Sequence, residues 1–383
     1  MAQTAKLFLA GLGVTIFGMN HPSSATDATI SPVPKVHIDA DGTIHTPPLD
    51  VPLSAYMSEQ TKRAFIEEAF HISDADTLKG ASIATIRKYI DSKQQKMVDR
   101  ARAIYPVNIE QKLFAGVATR VITPVDGVAA SNRGRVLINL HGGGFVVGAG
   151  NEALLESIPI AGFGKFKVIS VDYREGPEFK FPSASQDVAA VYRELLKEYE
   201  PRSIGIYGCS AGGILTAMAV AWLQRENLAT PGAIGIFSAG AFGGFYSAPA
   251  AAGAWGGDSR FTAPPLVGEE PPPVHPKPAP AGPTDATAYL SSANLADPLV
   301  SPALSAAILT KFPPTLLVTG TRAYDMSAAV QTQRLLTKAG VTADLHLWDG
   351  LGHCFILDSD FPESKEAFAV ITHFFDMHLG RHN

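Results

Sequence analysis

The sequence predicts an α/β protein with a mostly parallel central sheet covered by helices on both faces. Two observations carry that prediction. From about residue 110 onward, short apolar strand-like runs alternate with amphipathic helical stretches. Two of those runs pass directly into glycine-rich turns, Arg135–Leu140 into His141-Gly142-Gly143-Gly144 and Ser203–Tyr207 into Gly208-Cys209-Ser210-Ala211-Gly212. Strands that alternate with helices need crossover connections, and these build parallel sheets buried on both sides.

Taken in chain order, amphipathic helices are expected around Ala55–Phe70 and Ile83–Ile104. Strands follow at Leu113–Val125, Arg135–Leu140 and Lys167–Val171, then a helix across Ala184–Tyr199. Ser203–Tyr207 is a short buried strand, Ile214–Arg225 a helix, and Ala233–Ser238 and Thr315–Thr319 are two more strands. Ala328–Ala339 is helical, Ala343–Trp348 is a strand, and Lys365–Leu379 is a closing helix. One stretch breaks the rhythm: Ser247–Pro283 is crowded with Ala, Gly and Pro, including Pro271-Pro272-Pro273. Proline cannot donate to a sheet ladder, so this is an irregular insertion projecting beyond the sheet, either part of a cap or a surface loop.

At 383 residues the chain is long enough for one large core with an appended domain, or for two ordinary domains. A hydrophobic fraction of 46% with 17% charged residues describes a folded chain. The net charge of −5 and the lack of a basic stretch argue against nucleic acid as a partner. Residues 1–25 read as a signal peptide, because Lys6 precedes an apolar run from Leu7 to Met19 and Ser23-Ser24-Ala25 follow it. That run of about 13 residues is short of the roughly 20 that span a bilayer. No cysteine lies directly after it, so no lipoprotein processing site is expected. The expectation is a secreted or periplasmic protein with no stable membrane span in the mature chain. The division expected is an arm and cap helices over 26–110, a first core part over 111–246, an insertion contributing to the cap over 247–300, and a second core part over 301–383.

The chemistry is concentrated in three turns. In Gly208-Cys209-Ser210-Ala211-Gly212 the serine lies between a strand and a helix, where a sharp, strained turn presents its hydroxyl at the sheet edge. Glycines two before and two after let neighbouring backbones pass without a Cβ clash. A phosphate-binding glycine turn is the competing reading, but the P-loop lysine and the dinucleotide glycine spacing are both missing. In His141-Gly142-Gly143-Gly144-Phe145, consecutive glycines can aim backbone N–H groups at a developing oxyanion. Gly143 and Gly144 are the expected donors, joined by Ala211. His141 lacks partners at metal-ligand spacing and is expected to brace this loop by hydrogen bonding. The base is expected near the C-terminus, and His353 lies in the loop between the last strand and the last helix. His346 falls within a strand, while His373, His378 and His382 fall on or beyond the final helix.

The HGGGF loop, the GxSAGG elbow and the segment Asp172-Tyr173-Arg174-Glu175-Gly176-Pro177-Glu178 together resemble the bacterial hormone-sensitive lipase family of esterases. The resemblance implies an α/β-hydrolase fold with a cap, and a carboxylesterase acting on short- to medium-chain acyl esters; aryl esters are expected alongside them. It implies Gly143 and Gly144 as oxyanion donors. It covers about residues 110–240 and 300–380.

Two departures from that pattern bear on the site. The family places its acid three residues after a glycine, where this chain has Ala323 after Gly320-Thr321-Arg322. Asp325, two residues on, is the expected orienter of His353, against a reading of it as a helix cap. Asp349 is too near the histidine in sequence, and Asp297 lies before the strand. The second departure is the pair of cysteines. Cys209 immediately precedes Ser210 and Cys354 immediately follows His353. If the serine and histidine meet, their neighbours meet too, and an exported chain encounters an oxidising compartment. A Cys209–Cys354 disulfide is therefore expected, against a pair of buried inert thiols. This arrangement resembles one in tannases and fungal feruloyl esterases. It would close a loop of 145 residues, worth up to about 4–5 kcal/mol in the chain-entropy model.

The activity expected is two-step acyl transfer on a small-molecule ester, with no metal and no organic cofactor. An amidase or lactonase using the same three residues remains open, as does a non-catalytic ligand-binding protein on a hydrolase scaffold.

Overall fold

A computed structural model of the chain describes residues 52–69, 80–243 and 287–380, together with a small antiparallel pairing of β1 (His37–Ile38) and β2 (Ile44–His45). The signal peptide expected over 1–25 and most of the Pro-rich insertion lie outside the described residues. The core strands are β3 (Val107–Phe114), β4 (Val117–Pro124), β5 (Val136–Leu140), β6 (Val168–Val171), β7 (Ile204–Cys209), β8 (Ala233–Phe237), β9 (Thr315–Gly320) and β10 (Ala343–Trp348). Among the described residues they form one sheet in the order β10-β9-β8-β7-β5-β6-β4-β3. The pairs from β6 through β10 are parallel, and β4 runs antiparallel to both β3 and β6.

Side chains alternate across this sheet with the two-residue period of a strand. Val136, Ile138, Leu140, Ile204, Ile206, Ile234, Ile236 and Leu317 face one core. Leu137, Tyr207, Cys209, Phe237, Leu316 and Val318 face the other. The first core is covered by α4 (Ser183–Leu195), α5 (Ala211–Arg225) and α8 (Met326–Lys338). The second is covered by α2 (Ile83–Ile104), α3 (Asn151–Gly164) and α9 (Pro362–His378). The expected sheet sandwiched between helices is thus observed. Short helices α6 (Thr287–Leu290) and α7 (Ala306–Leu309) connect the later strands, and α1 (Glu59–Ala69) precedes α2.

Two expectations need correction. The single strand expected over Leu113–Val125 is the second half of a hairpin, in which Phe114 pairs with Val117 across Ala115-Gly116. Both turn residues have positive φ, 50° and 82°, as a two-residue turn matched to strand twist requires. In addition, α3 was not expected. It carries Pro159 and is buried on most sides, from Ala153 through Gly162 with Leu154 as a partial exception, so its sequence has no wet stripe to reveal a helical period.

The N-terminal helices lie directly against the core. Arg87 on α2 donates from Nε to the Val146 carbonyl at 2.8 Å and from Nη2 to the Gly176 carbonyl at 2.9 Å, and it pairs with Glu178. Near α1, the Ser58 amide and the Thr61 hydroxyl donate to Glu363 on α9. At the far end of the insertion, Tyr289 stacks on Phe145 with ring centroids 5.0 Å apart, and its hydroxyl accepts from the Ala184 amide.

Candidate active site

Ser210 sits where β7 turns into α5, with φ 58° and ψ −125°. A non-glycine residue with positive φ is strained, and such strain persists only where the surroundings dictate it. Here the crowding is explicit. A Cβ on Gly208 would strike the Leu140 carbonyl oxygen and the backbone of Gly212, and one on Gly212 would strike the Leu140 and His141 carbonyls. The strand end and the first helical turn therefore pass at a separation that only glycine allows. The Ser210 amide donates to the Phe237 carbonyl at 2.9 Å, and the side chain is buried.

The glycine loop after β5 lies against this elbow. A Cβ built on Gly142 would fall 3.3 Å from the Ser210 Cβ. Gly143, Gly144 and Phe145 all have positive φ, at 86°, 64° and 63°. The amides of Gly143 and Gly144 donate no hydrogen bond among the described residues, and Ala211 is the first residue of α5, where the helix itself offers its N–H no partner. Behind the loop His141 is fully buried. Its Nδ1 is 2.9 Å from the Gly142 carbonyl, its ring stacks on Tyr173 at 4.1 Å, and the Tyr173 hydroxyl donates to the His141 carbonyl at 2.7 Å. Burial is the main cause that pushes the imidazole down to about 4, which keeps it neutral at pH 7. The expected bracing role of His141 agrees with these contacts.

His353 lies in the turn after β10 and is buried. Its Nδ1 is 2.7 Å from Asp325 Oδ1. Asp325 Oδ2 accepts from the Thr319 hydroxyl of β9 at 2.6 Å, so both oxygens are engaged. Although Asp325 occupies the N-cap position of α8, its side chain makes no capping bond. Ala323 is buried beside it. Asp349 is spent elsewhere, accepting from Ser54 and Thr321 hydroxyls, and Asp297 Oδ1 accepts from the Leu299 amide. His346 and His373 are exposed and His378 packs on Phe374.

The two cysteines form a disulfide, with Cα atoms 6.2 Å apart across 145 residues of sequence. It joins the residue before Ser210 to the residue after His353. A further tie holds the histidine turn, since the Cys354 amide donates to the Ser238 hydroxyl at 2.9 Å.

Ser210 and His353 make no direct hydrogen bond among the described residues. His353 Nε2 is 2.9 Å from the Tyr324 hydroxyl instead, and the two rings stack with centroids 4.3 Å apart. Among the described residues Ser210 Oγ makes no hydrogen bond. Tyr324 and Thr319 were missed by sequence reasoning. Tyr324 adjoins Asp325, and that adjacency was the one signal available.

The parallel sheet with a strained serine turn at the C-terminal end of a central strand defines an α/β-hydrolase scaffold. A family model described as the alpha/beta hydrolase fold matches residues 137–357, and the chain belongs to that family. It is similar to versiconal hemiacetal acetate esterase of Emericella nidulans, 36% identical over 122 residues that cover 32% of this chain and 41% of that protein. It is also similar to carboxylesterase/phospholipase LipF of Mycobacterium tuberculosis, 35% identical over 112 residues, covering 29% and 30%. The chain thus spans less than half the length of these curated relatives. Among solved structures, it resembles esterase E25 with a TM-score of 0.71 at 29% identity, covering 88% of this chain and 99% of that one. An esterase from the bacterial hormone-sensitive lipase family superposes with a TM-score of 0.65 at 25% identity, covering 84% and 99%.

Proposed function

We propose that the chain is a serine carboxylesterase acting on small-molecule esters. Ser210 attacks the ester carbonyl and His353 Nε2 takes its proton. Asp325 holds the imidazole in the tautomer that leaves Nε2 unprotonated, and it stabilises the imidazolium that forms. The oxyanion rests on the amides of Gly143, Gly144 and Ala211. The alcohol leaves with the proton from His353, and water repeats the cycle on the acyl-enzyme.

The observation that carries this reading is the 2.7 Å contact between Asp325 Oδ1 and His353 Nδ1, in a turn covalently tied to the serine elbow. An orienting carboxylate also argues against a scaffold that has lost its chemistry, a reading that Ala323 at the family's usual acid position would favour. The esterase names of the similar proteins point the same way. Short- to medium-chain acyl or aryl esters are the substrate class proposed. Helices α1 and α2, with the insertion over 247–300, are proposed as the cap that selects among them.

Export to the periplasm or beyond is part of the proposal. It rests on the leader-like residues 1–25 and on the disulfide, a bond that persists in oxidising compartments. Among the described residues no helix is long and apolar enough to cross a membrane.

Hydrolysis of p-nitrophenyl acetate and butyrate by the purified chain, with Ser210→Ala as control, tests the reading. Release of p-nitrophenol that vanishes in the variant supports it, and equal rates in the two proteins overturn it. A matched ester and anilide pair then separates esterase from amidase.

A further inference from the structure

Glu156 is a buried acid that the proposed acyl transfer does not use. It lies on α3 and is 4% exposed. Its carboxyl joins two segments that are far apart in sequence. Oε1 accepts from the Gly142 amide at 2.8 Å, and Oε2 accepts from the Cys209 amide at 3.1 Å and from Asn139 Nδ2 at 2.9 Å. Gly142 is the residue before the first expected oxyanion donor, and Cys209 is the residue before the expected nucleophile. The strands that carry them, β5 and β7, pair in parallel, with Leu140 opposite Gly208. Both amides therefore lie just past the last rung, where the ladder no longer fixes the spacing of the two chains.

The clamp is itself held in place. Asn139 Oδ1 accepts from the Ser170 hydroxyl at 2.8 Å, and the Tyr207 hydroxyl donates to the Glu156 carbonyl at 3.2 Å. Burial, and then the neighbouring Glu152 carboxyl, push the Glu156 acid well above its usual range, while the three donors pull it back. A buried acid that costs this much to keep is retained only where its bonds are made.

We propose that Glu156 is a positioning residue, whose carboxyl sets the distance between the oxyanion amides and the Ser210 hydroxyl. The inference rests on the esterase reading above. An oxyanion hole works by being correctly placed before charge develops, and small misplacements are costly in rate. Substrate binding in the ground state does not depend on that spacing. A clamp on it should therefore appear in kcat and leave KM alone.

Glu156→Gln tests this with little change of volume. The amide keeps one acceptor oxygen and turns an NH2 group toward the other donors, so Gly142 and Cys209 can no longer both be satisfied. For p-nitrophenyl butyrate, with kcat expressed per titrated active site, the expected result is a fall in kcat of about 10- to 100-fold with KM within about twofold. Affinity for an alkylboronic acid, which forms a tetrahedral adduct on the serine, should fall by the same factor as kcat. If Glu156→Gln yields no folded protein, Glu156→Asp is measured instead, since its shorter reach should produce the same split. An unchanged kcat per titrated site, or a loss carried by KM alone, overturns the inference. Wild-type protein inactive on every ester would sink the esterase reading, whereas active wild type with an equally fast Glu156→Gln sinks the clamp alone.

Discussion

The Tyr324 hydroxyl stands 2.9 Å from His353 Nε2, the nitrogen proposed to take the proton of Ser210. With Nδ1 engaged by Asp325, a neutral imidazole offers a single lone pair at Nε2. The phenol and the serine hydroxyl therefore compete for it. Removing the phenol oxygen should free the base. A net hydrogen bond of about 0.5–1.5 kcal/mol converts to roughly a two- to tenfold change. Tyr324→Phe is expected to react faster with a sulfonyl fluoride by about that factor, read from the second-order rate of inactivation. A slower reaction would show that the phenol assists the base.

Asp325→Asn keeps the shape of the side chain but can present an amide to Nδ1, favouring the wrong imidazole tautomer. Turnover of p-nitrophenyl butyrate should drop by roughly 10³- to 10⁴-fold with the thermal midpoint nearly unchanged. Activity within a few-fold of wild type would move the orienting role to another residue.

The disulfide makes a separate claim. Thiol titration of unreduced, denatured protein should find no reactive thiol. Replacing both Cys209 and Cys354 by Ser should lower the unfolding free energy by about 2–5 kcal/mol, read from denaturant titration. Two titratable thiols would remove the bond from the account.

Acid should weaken the fold through His141. Burial lowers its folded-state value from 6.5 to about 4, so between those values the unfolded chain binds more protons. Stability from this group is complete above pH 6.5 and is lost as pH falls toward 4. A span of about 2.5 units corresponds to about 3 kcal/mol. Asp172, raised mainly by burial to about 6, and Glu175, raised mainly by burial to about 7, contribute with the opposite sign. The comparison is therefore with His141→Asn, whose unfolding free energy should fall less steeply than wild type over pH 6.5 to 4. Parallel slopes would mean that His141 does not titrate in this way.

What could be read from the sequence was whatever the backbone makes compulsory. The serine elbow and the glycine loop require close approach and positive φ, and those demands leave glycines at fixed offsets around Ser210 and at Gly143 and Gly144. The cysteine pairing was legible because each cysteine adjoins a residue of the expected pair, and the contact of Asp325 with His353 could be reached because an imidazole expected to act as a base calls for a carboxylate partner. The helix α3 left no mark, because an element buried on most sides has no amphipathic stripe and Pro159 interrupts its pattern. Ala115-Gly116 hid a hairpin, since alanine at positive φ is not a turn signal. Tyr324 and Glu156 belong to no motif. Their importance lies in what tertiary packing places within about 3 Å of them.

The account stands or falls on Ser210 as the reacting group beside His353. Intact protein treated with a fluorophosphonate, followed by peptide mapping, is the direct measurement. The prediction is one adduct per chain, located on Ser210, with ester hydrolysis lost in proportion to labelling. Full hydrolysis by labelled protein, or an adduct on another residue that accounts for the lost activity, would contradict it.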